Sequence, residues 1–211
     1  MEICRTDVLL VVDIQNDFCP GGALPVIRGD EVVAPILRLA HAFEHVLLTQ
    51  DWHPADHASF ASAHPGRQPF EIVDMPYGEQ RLWPDHCVQG TRGAEFHPSF
   101  TLPKAELVIR KGFRRDIDSY SAFVENDRTT PTGLTGYLRE RGFTRVFLAG
   151  LATDYCVRYS AIDARHHGFA VMVIEDACRP IGTGQAYLRA MDEVRAVGAV
   201  LIQEAQIAVP A

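Results

Sequence analysis

Six short runs of nearly continuous apolar residues punctuate the chain: "DVLLVVD" (7–13), "HVLLTQD" (45–51), "ELVIRK" (106–111), "RVFLAGL" (145–151), "AVMVIED" (170–176) and "AVLIQ" (199–203). Each is short, rich in Val, Ile and Leu, and without a polar alternate, so each predicts a strand covered on both faces, the mark of a parallel sheet. Parallel neighbours need crossover connections, and the intervening segments supply them with helical spacing. Asp30 is placed to cap a helix whose inner face is Val32, Val33, Ile36, Leu37 and Ala40, with Pro35 near its start. Residues 133–141 (Leu134, Tyr137, Leu138), 155–167 (Val157, Ala161, Ala164) and 184–197 (Tyr187, Leu188, Met191, Val194) repeat the pattern. The expectation is an α/β fold: a doubly wound, mostly parallel six-stranded sheet with helices on both faces, in three α/β/α layers.

A chain of 211 residues suits one domain spanning 1–211. Residues 52–104 break the rhythm, because Pro, Gly, His and aromatic residues replace any periodicity there. An irregular stretch of about fifty residues inside a compact domain is usually functional, so it reads as an insertion that binds metal or substrate.

Charge and cysteine usage narrow the class. A net charge of −7 argues against nucleic-acid partners, which need clustered cations. The apolar run Val8 to Val12 is far too short to span a membrane or form a signal-peptide core, so a cytoplasmic location without membrane attachment is expected. Five cysteines with no CxxC pair predict reduced thiols, one of which is free to be reactive.

In an open parallel sheet, ligands gather beyond the carboxyl ends of the strands. The residues found there are Asp13, Asp51, Lys111 and, one turn after "RVFLAGL", Cys156. A carboxylate at one strand end can be no more than a solvated stop; two carboxylates, an amine and a thiol on one edge suggest chemistry. A free thiol is only a few per cent thiolate at neutral pH. A helix start capped by Thr153 or Asp154, a cation at Lys111 and a base at Asp13 would together activate Cys156. Unpaired N–H groups from Ala152 to Cys156 would form an oxyanion hole, which points to acyl transfer.

The irregular segment adds a second constellation. "TQDWHPADHASF" spaces Asp51 and His53 two apart, with His57 four further on, and "LWPDHCVQG" adds His86. A carboxylate and two or three imidazoles suit Zn, Fe or Mn with open positions for water or substrate.

Five ordered segments, "VVDIQNDFCPGGALPV" (11–26), "TQDWHPADHASF" (49–60), "WPDHCVQGTRGAEFHP" (83–98), "RKGFRRDIDSYSAF" (110–123) and "GLATDYCVRYSA" (150–161), resemble the nicotinamidases of the isochorismatase-like hydrolase superfamily. The resemblance implies an Asp13, Lys111, Cys156 triad and one divalent metal ion (Zn, Fe or Mn) on Asp51, His53 and His86. Some relatives add a protein ligand near His57. It further implies an oxyanion hole at the N–H groups of Ala152 and Cys156, a cis peptide before Ala152, and a substrate pocket of Phe18, Leu24, Trp83 and Tyr120. The implied reaction is hydrolysis of nicotinamide to nicotinate and ammonia through a cysteine thioester, as in NAD salvage, with pyrazinamide as a second substrate. Within the superfamily the rivals are another amide hydrolysis, such as that of N-carbamoylsarcosine amidase, or the vinyl-ether hydrolysis of isochorismatase itself, which ranks lower because isochorismatases proper lack the nucleophilic cysteine; outside it the rival is a noncatalytic binding module or a thiol redox protein. Oligomeric state stays open, a homo-oligomer included.

Overall fold

The computed structural model describes residues 1–208. Six strands form one sheet, β1 (Asp7–Val12), β2 (His45–Asp51), β5 (Leu107–Lys111), β6 (Arg145–Leu151), β7 (Ala170–Arg179) and β8 (Val200–Ile202), all paired in parallel in the order β5-β2-β1-β6-β7-β8. From β1 the chain winds out to β5 on one side, returns, and winds from β6 to β8 on the other. The strand order therefore reverses between β1 and β6, the crevice where doubly wound sheets bind ligands.

Helices cover both faces, as expected. Helix α1 (Val33–Ala42) packs Val33, Ile36, Leu39 and Ala40 with Leu9, Val11, Val46 and Phe147 in one buried cluster. On the other face α2 (Leu134–Glu140), α3 (Arg158–His166) and α4 (Gln185–Ala196) pack with Val8, Leu10, Val146, Leu148 and Val171 in a second. Alternate residues of β1 thus serve opposite cores, as the two-residue period of a strand requires. Among the described residues no helix is long and apolar enough to cross a membrane.

Several local expectations are corrected. Asp30 caps nothing: it lies in a 3₁₀ turn, Gly29–Val32, and α1 starts after Val32 with no side-chain cap, Pro35 falling in its first turn. Leu39 joins the inner face as well, while Leu37 is half-buried against the same cluster. In α4 Leu188 points outward at 49% exposure and Ala190 takes its place in the core. Strand β7 runs to Arg179, three residues beyond the apolar run, because its second half pairs with β6 across a register shift. The segment 52–104 contains a hairpin, β3 (Ile72–Met75) and β4 (Gly78–Arg81), which no sustained alternation announces.

Candidate active site

The site is assembled where four strands end, β1, β2, β5 and β6. The register of β2 against β5 sets Asp51 directly beside Lys111, and that of β1 against β6 sets Val12 beside Gly150. Gly150 lies inside β6 and not at its end, with φ +126, and a Cβ there would meet the Val12 carbonyl at 2.1 Å, so only glycine lets the two strands approach this closely. The chain then passes a cis peptide between Leu151 and Ala152, as the resemblance implied.

A wide π-type turn, Thr153–Val157, follows, and α3 begins only at Arg158. The expected cap at Thr153 or Asp154 is absent: Ala152 occupies that position without a side-chain bond. The Asp154 carboxylate instead accepts the Ile181 and Gly182 N–H groups at 2.9 and 2.7 Å. The Tyr155 and Val157 N–H groups donate to the Ala152 carbonyl at 3.1 and 3.2 Å, and that of Cys156 between them does not.

Lys111, fully buried, joins everything. Its Nζ lies 2.8 Å from Asp13 Oδ2, 3.3 Å from Cys156 Sγ and 3.3 Å from the Ser119 carbonyl, and it also contacts Asp51 Oδ1. Burial alone would neutralise this amine, but the charges of Asp13 and Asp51 outweigh it and hold Lys111 firmly as an ammonium. Asp13 is held by the Thr49 hydroxyl at 2.6 Å, and burial, partly offset by Lys111, raises its pKa to about 6. For Cys156, burial outweighs the nearby ammonium, and Asp13 and Asp51 push the same way, so the thiol pKa stands well above its ordinary value. Burial and the two facing carboxylates thus offset what the helix start offers, and the thiol needs a base, the role expected of Asp13.

Asp51, His53 and His86 present donor atoms within 4.8 Å of one another. The Nδ1 atoms of His53 and His86 donate to the Gly112 and Pro84 carbonyls, each at 2.8 Å, which leaves both Nε2 atoms as acceptors facing Asp51 Oδ2 at 3.7 and 3.9 Å. A carboxylate and two such imidazoles fit a divalent cation, since bonds of about 2.1 Å from one centre bring ligand atoms to roughly 3 to 4 Å of each other. Burial keeps His86 neutral, lowering its pKa to about 4. His57 does not join this trio. The Ser59 N–H donates to its Nδ1 at 3.2 Å and its Nε2 faces the Ile117 carbonyl at 3.3 Å, so both nitrogens are engaged, although the ring packs 4.4 Å from that of His53 and shares a second donor group with Asp118.

Phe18, Leu24, Trp83 and Tyr120 line one cavity with Ala152, Cys156 and the Asp51, His53 and His86 side chains. The Trp83 indole donates to the Tyr120 hydroxyl at 3.1 Å, and Phe18 packs edge-on to His86 at 5.5 Å. The cavity has a volume of about 20 Å³, about the room one water needs. Three of its walls were not singled out in the sequence: Asp118, Tyr155 and Ile181. Asp118 is buried, accepting Gln80 Nε2 and its neighbour's N–H, both at 2.8 Å. Its spacing two before Tyr120 in "DIDSY" was the available signal.

Comparison with known proteins adds to this geometry. The isochorismatase domain model matches residues 7–206. The nicotinamidase of Acinetobacter baylyi is 52% identical over 209 residues, covering 99% of this chain and 98% of the relative. A solved nicotinamidase/pyrazinamidase of Acinetobacter baumanii superposes with a TM-score of 0.95 at 52% identity, over 96% of this chain and 98% of that one. The pyrazinamidase of Pyrococcus horikoshii, solved in complex with zinc, superposes at 0.77 with 37% identity, over 94% of this chain and 99% of that one.

Proposed function

The chain belongs to the isochorismatase family, and on that premise we propose that it hydrolyses nicotinamide to nicotinate and ammonia through a thioester on Cys156, and acts on pyrazinamide as well. The observation that carries this reading is the buried contact of Lys111 with Asp13 and Cys156, beside an Asp/His/His donor set and an aromatic cavity. The names of the relatives support the substrate class.

Asp13, whose pKa of about 6 suits a group that both takes and returns protons near neutrality, removes the Cys156 proton. Sγ then attacks the carboxamide carbon. The N–H groups of Ala152 and Cys156 receive the negative oxygen that forms, and Lys111 steadies the charges of Asp13 and sulfur without changing its own protonation. Collapse breaks the C–N bond as Asp13 returns the proton to the departing ammonia. Water, deprotonated by Asp13, cleaves the thioester and restores the thiol. Asp51, His53 and His86 are the residues that would hold a divalent cation, which supplies a Lewis acid able to orient the ring nitrogen; His57 supports His53 from behind. Phe18, Leu24, Trp83 and Tyr120 are the walls that would hold the flat ring, moving apart to admit it since the cavity as it stands has room for about one water. The function in NAD salvage and the cytoplasmic location belong to the same reading.

Ammonia release from nicotinamide tests it. The wild-type protein should turn over, and Cys156→Ala should lose activity by at least about 10³-fold while keeping its metal and its melting temperature. Substantial turnover by the variant would eliminate the covalent route.

A further inference from the structure

Beyond the reaction cavity lies a second, roomier chamber of about 290 Å³, and Tyr120 and Tyr155 belong to the walls of both. It opens between the β3–β4 hairpin, the turn that carries Cys156, and the starts of α3 and α4. Its size is at the small end of ligand pockets, roughly 300 to 1,000 Å³, and so fits a single-ring molecule.

Its walls are aromatic and cationic together. The Tyr120 ring lies 5.6 Å from that of Tyr155 and 5.2 Å from that of Tyr159, so the three pack on one another as one aromatic wall of the chamber. Arg158 rests its guanidinium 4.4 Å over Tyr159, and its buried Nε has no acceptor among the described residues. Its one carboxylate partner, Glu193 at 3.3 Å, is 56% exposed and therefore weakly coupled. Arg81 donates to the Phe70 carbonyl at 2.7 Å and forms no ion pair among the described residues. Both arginines act on the Tyr155 phenol, opposing the rise that burial imposes on it. Of the acids at the chamber, Asp154 is taken up by two backbone N–H groups and Glu79 is exposed at the rim. The positive charge is thus left less matched than the negative.

We propose that this chamber is a binding site for a flat aromatic monocarboxylate, its ring against the wall of three tyrosines and its carboxylate on Arg81 and Arg158. Arginine suits this task because its planar fork matches a carboxylate. The natural ligand follows from the proposed function: a neutral carboxamide offers the arginines no charge, whereas the pyridinecarboxylate formed from it does. The chamber would hold product next to the cavity that made it, and inhibition by product would contain a component that substrate cannot outcompete.

Calorimetric titration of nicotinate into the metal-loaded full chain tests this, with Arg81→Ala and Arg158→Ala made separately. The wild type should bind two nicotinates per chain and each variant one, with kcat for nicotinamide changed less than twofold and inhibition by nicotinate turned purely competitive. A single site in the wild type, or two sites whose affinities change less than threefold in both variants, overturns the proposal. Benzoate, which has no ring nitrogen and is not a product, separates this inference from the assigned reaction. If nicotinamide is not hydrolysed but benzoate binding falls at least tenfold in the variants, the reaction is wrong and the chamber stands. Benzoate binding indifferent to both arginines removes the chamber site. The two residues come from different elements, so if one variant fails to fold, the other decides.

Discussion

At rest Cys156 is a protonated thiol, and its readiness depends on Asp13, whose carboxyl is pushed up to about 6 mainly by burial. The sign for activity follows directly: above that value Asp13 is a base, and below it the base is lost to protonation. The expected pH profile of kcat/KM is therefore flat toward neutrality and falls about tenfold per pH unit below about 6; a profile level down to pH 4 would exclude Asp13 as the base. Gly112 makes a second residue-scale prediction. With φ +64 it leaves room for the His53 ring, whose Cε1 a Cβ would meet at 2.2 Å, and its carbonyl fixes the ring through Nδ1. Gly112→Ala should weaken divalent-metal binding by about 10- to 100-fold, measured by equilibrium dialysis, with activity recovered at high metal concentration. Asp13, Asp51, Lys111 and Cys156 were legible in the sequence because each follows an apolar run, and strand ends share one edge. Asp118 and Ile181 were not, since they sit in aperiodic loops whose course is set by distant hydrogen bonds.

Among the elements, those with strong periodicity were readable and those shaped by hydrogen bonding to side chains were not. The parallel strands and the inner faces of α2 and α3 follow from burial on one or both sides. The start of α3 does not, because a π-type turn replaces the expected cap, and the freed Asp154 reaches across to the connection between β7 and α4. That pair of hydrogen bonds ties Ile181, a wall of the reaction cavity, to the turn that carries Cys156. Asp154→Ala leaves two N–H groups without their acceptor and should lower stability by about 1 to 3 kcal/mol. It should also raise KM for nicotinamide several-fold more than it lowers kcat, with Asp154→Asn partly restoring both. Equal losses in kcat and kcat/KM, with KM unchanged, would show that the clamp does not shape the cavity. The β3–β4 hairpin escaped notice for another reason: its residues are mostly exposed or half-buried, so no apolar alternation marks it.

For the molecule as a whole, the Asp51, His53 and His86 donor set fastens a strand end to two loops of the irregular segment. Removing the cation should then cost fold as well as function. A ligand at a hundred times its Kd contributes about 2.7 kcal/mol, so a chelator should lower the melting temperature by roughly 5 to 10 °C, and added Zn, Fe or Mn should restore it. An unchanged melting curve with complete metal loss would confine the cation to catalysis. The strand order has a consequence of another kind. Lys111 stands on the edge strand β5, Asp13 follows the central β1, and Cys156 follows β6, which inserts beside β1 only after the other two have been synthesised. Until β1, β5 and β6 all stand in one sheet, the sulfur lacks its base, its cation or both. Turnover therefore certifies a finished sheet, and counting active sites counts correctly assembled chains.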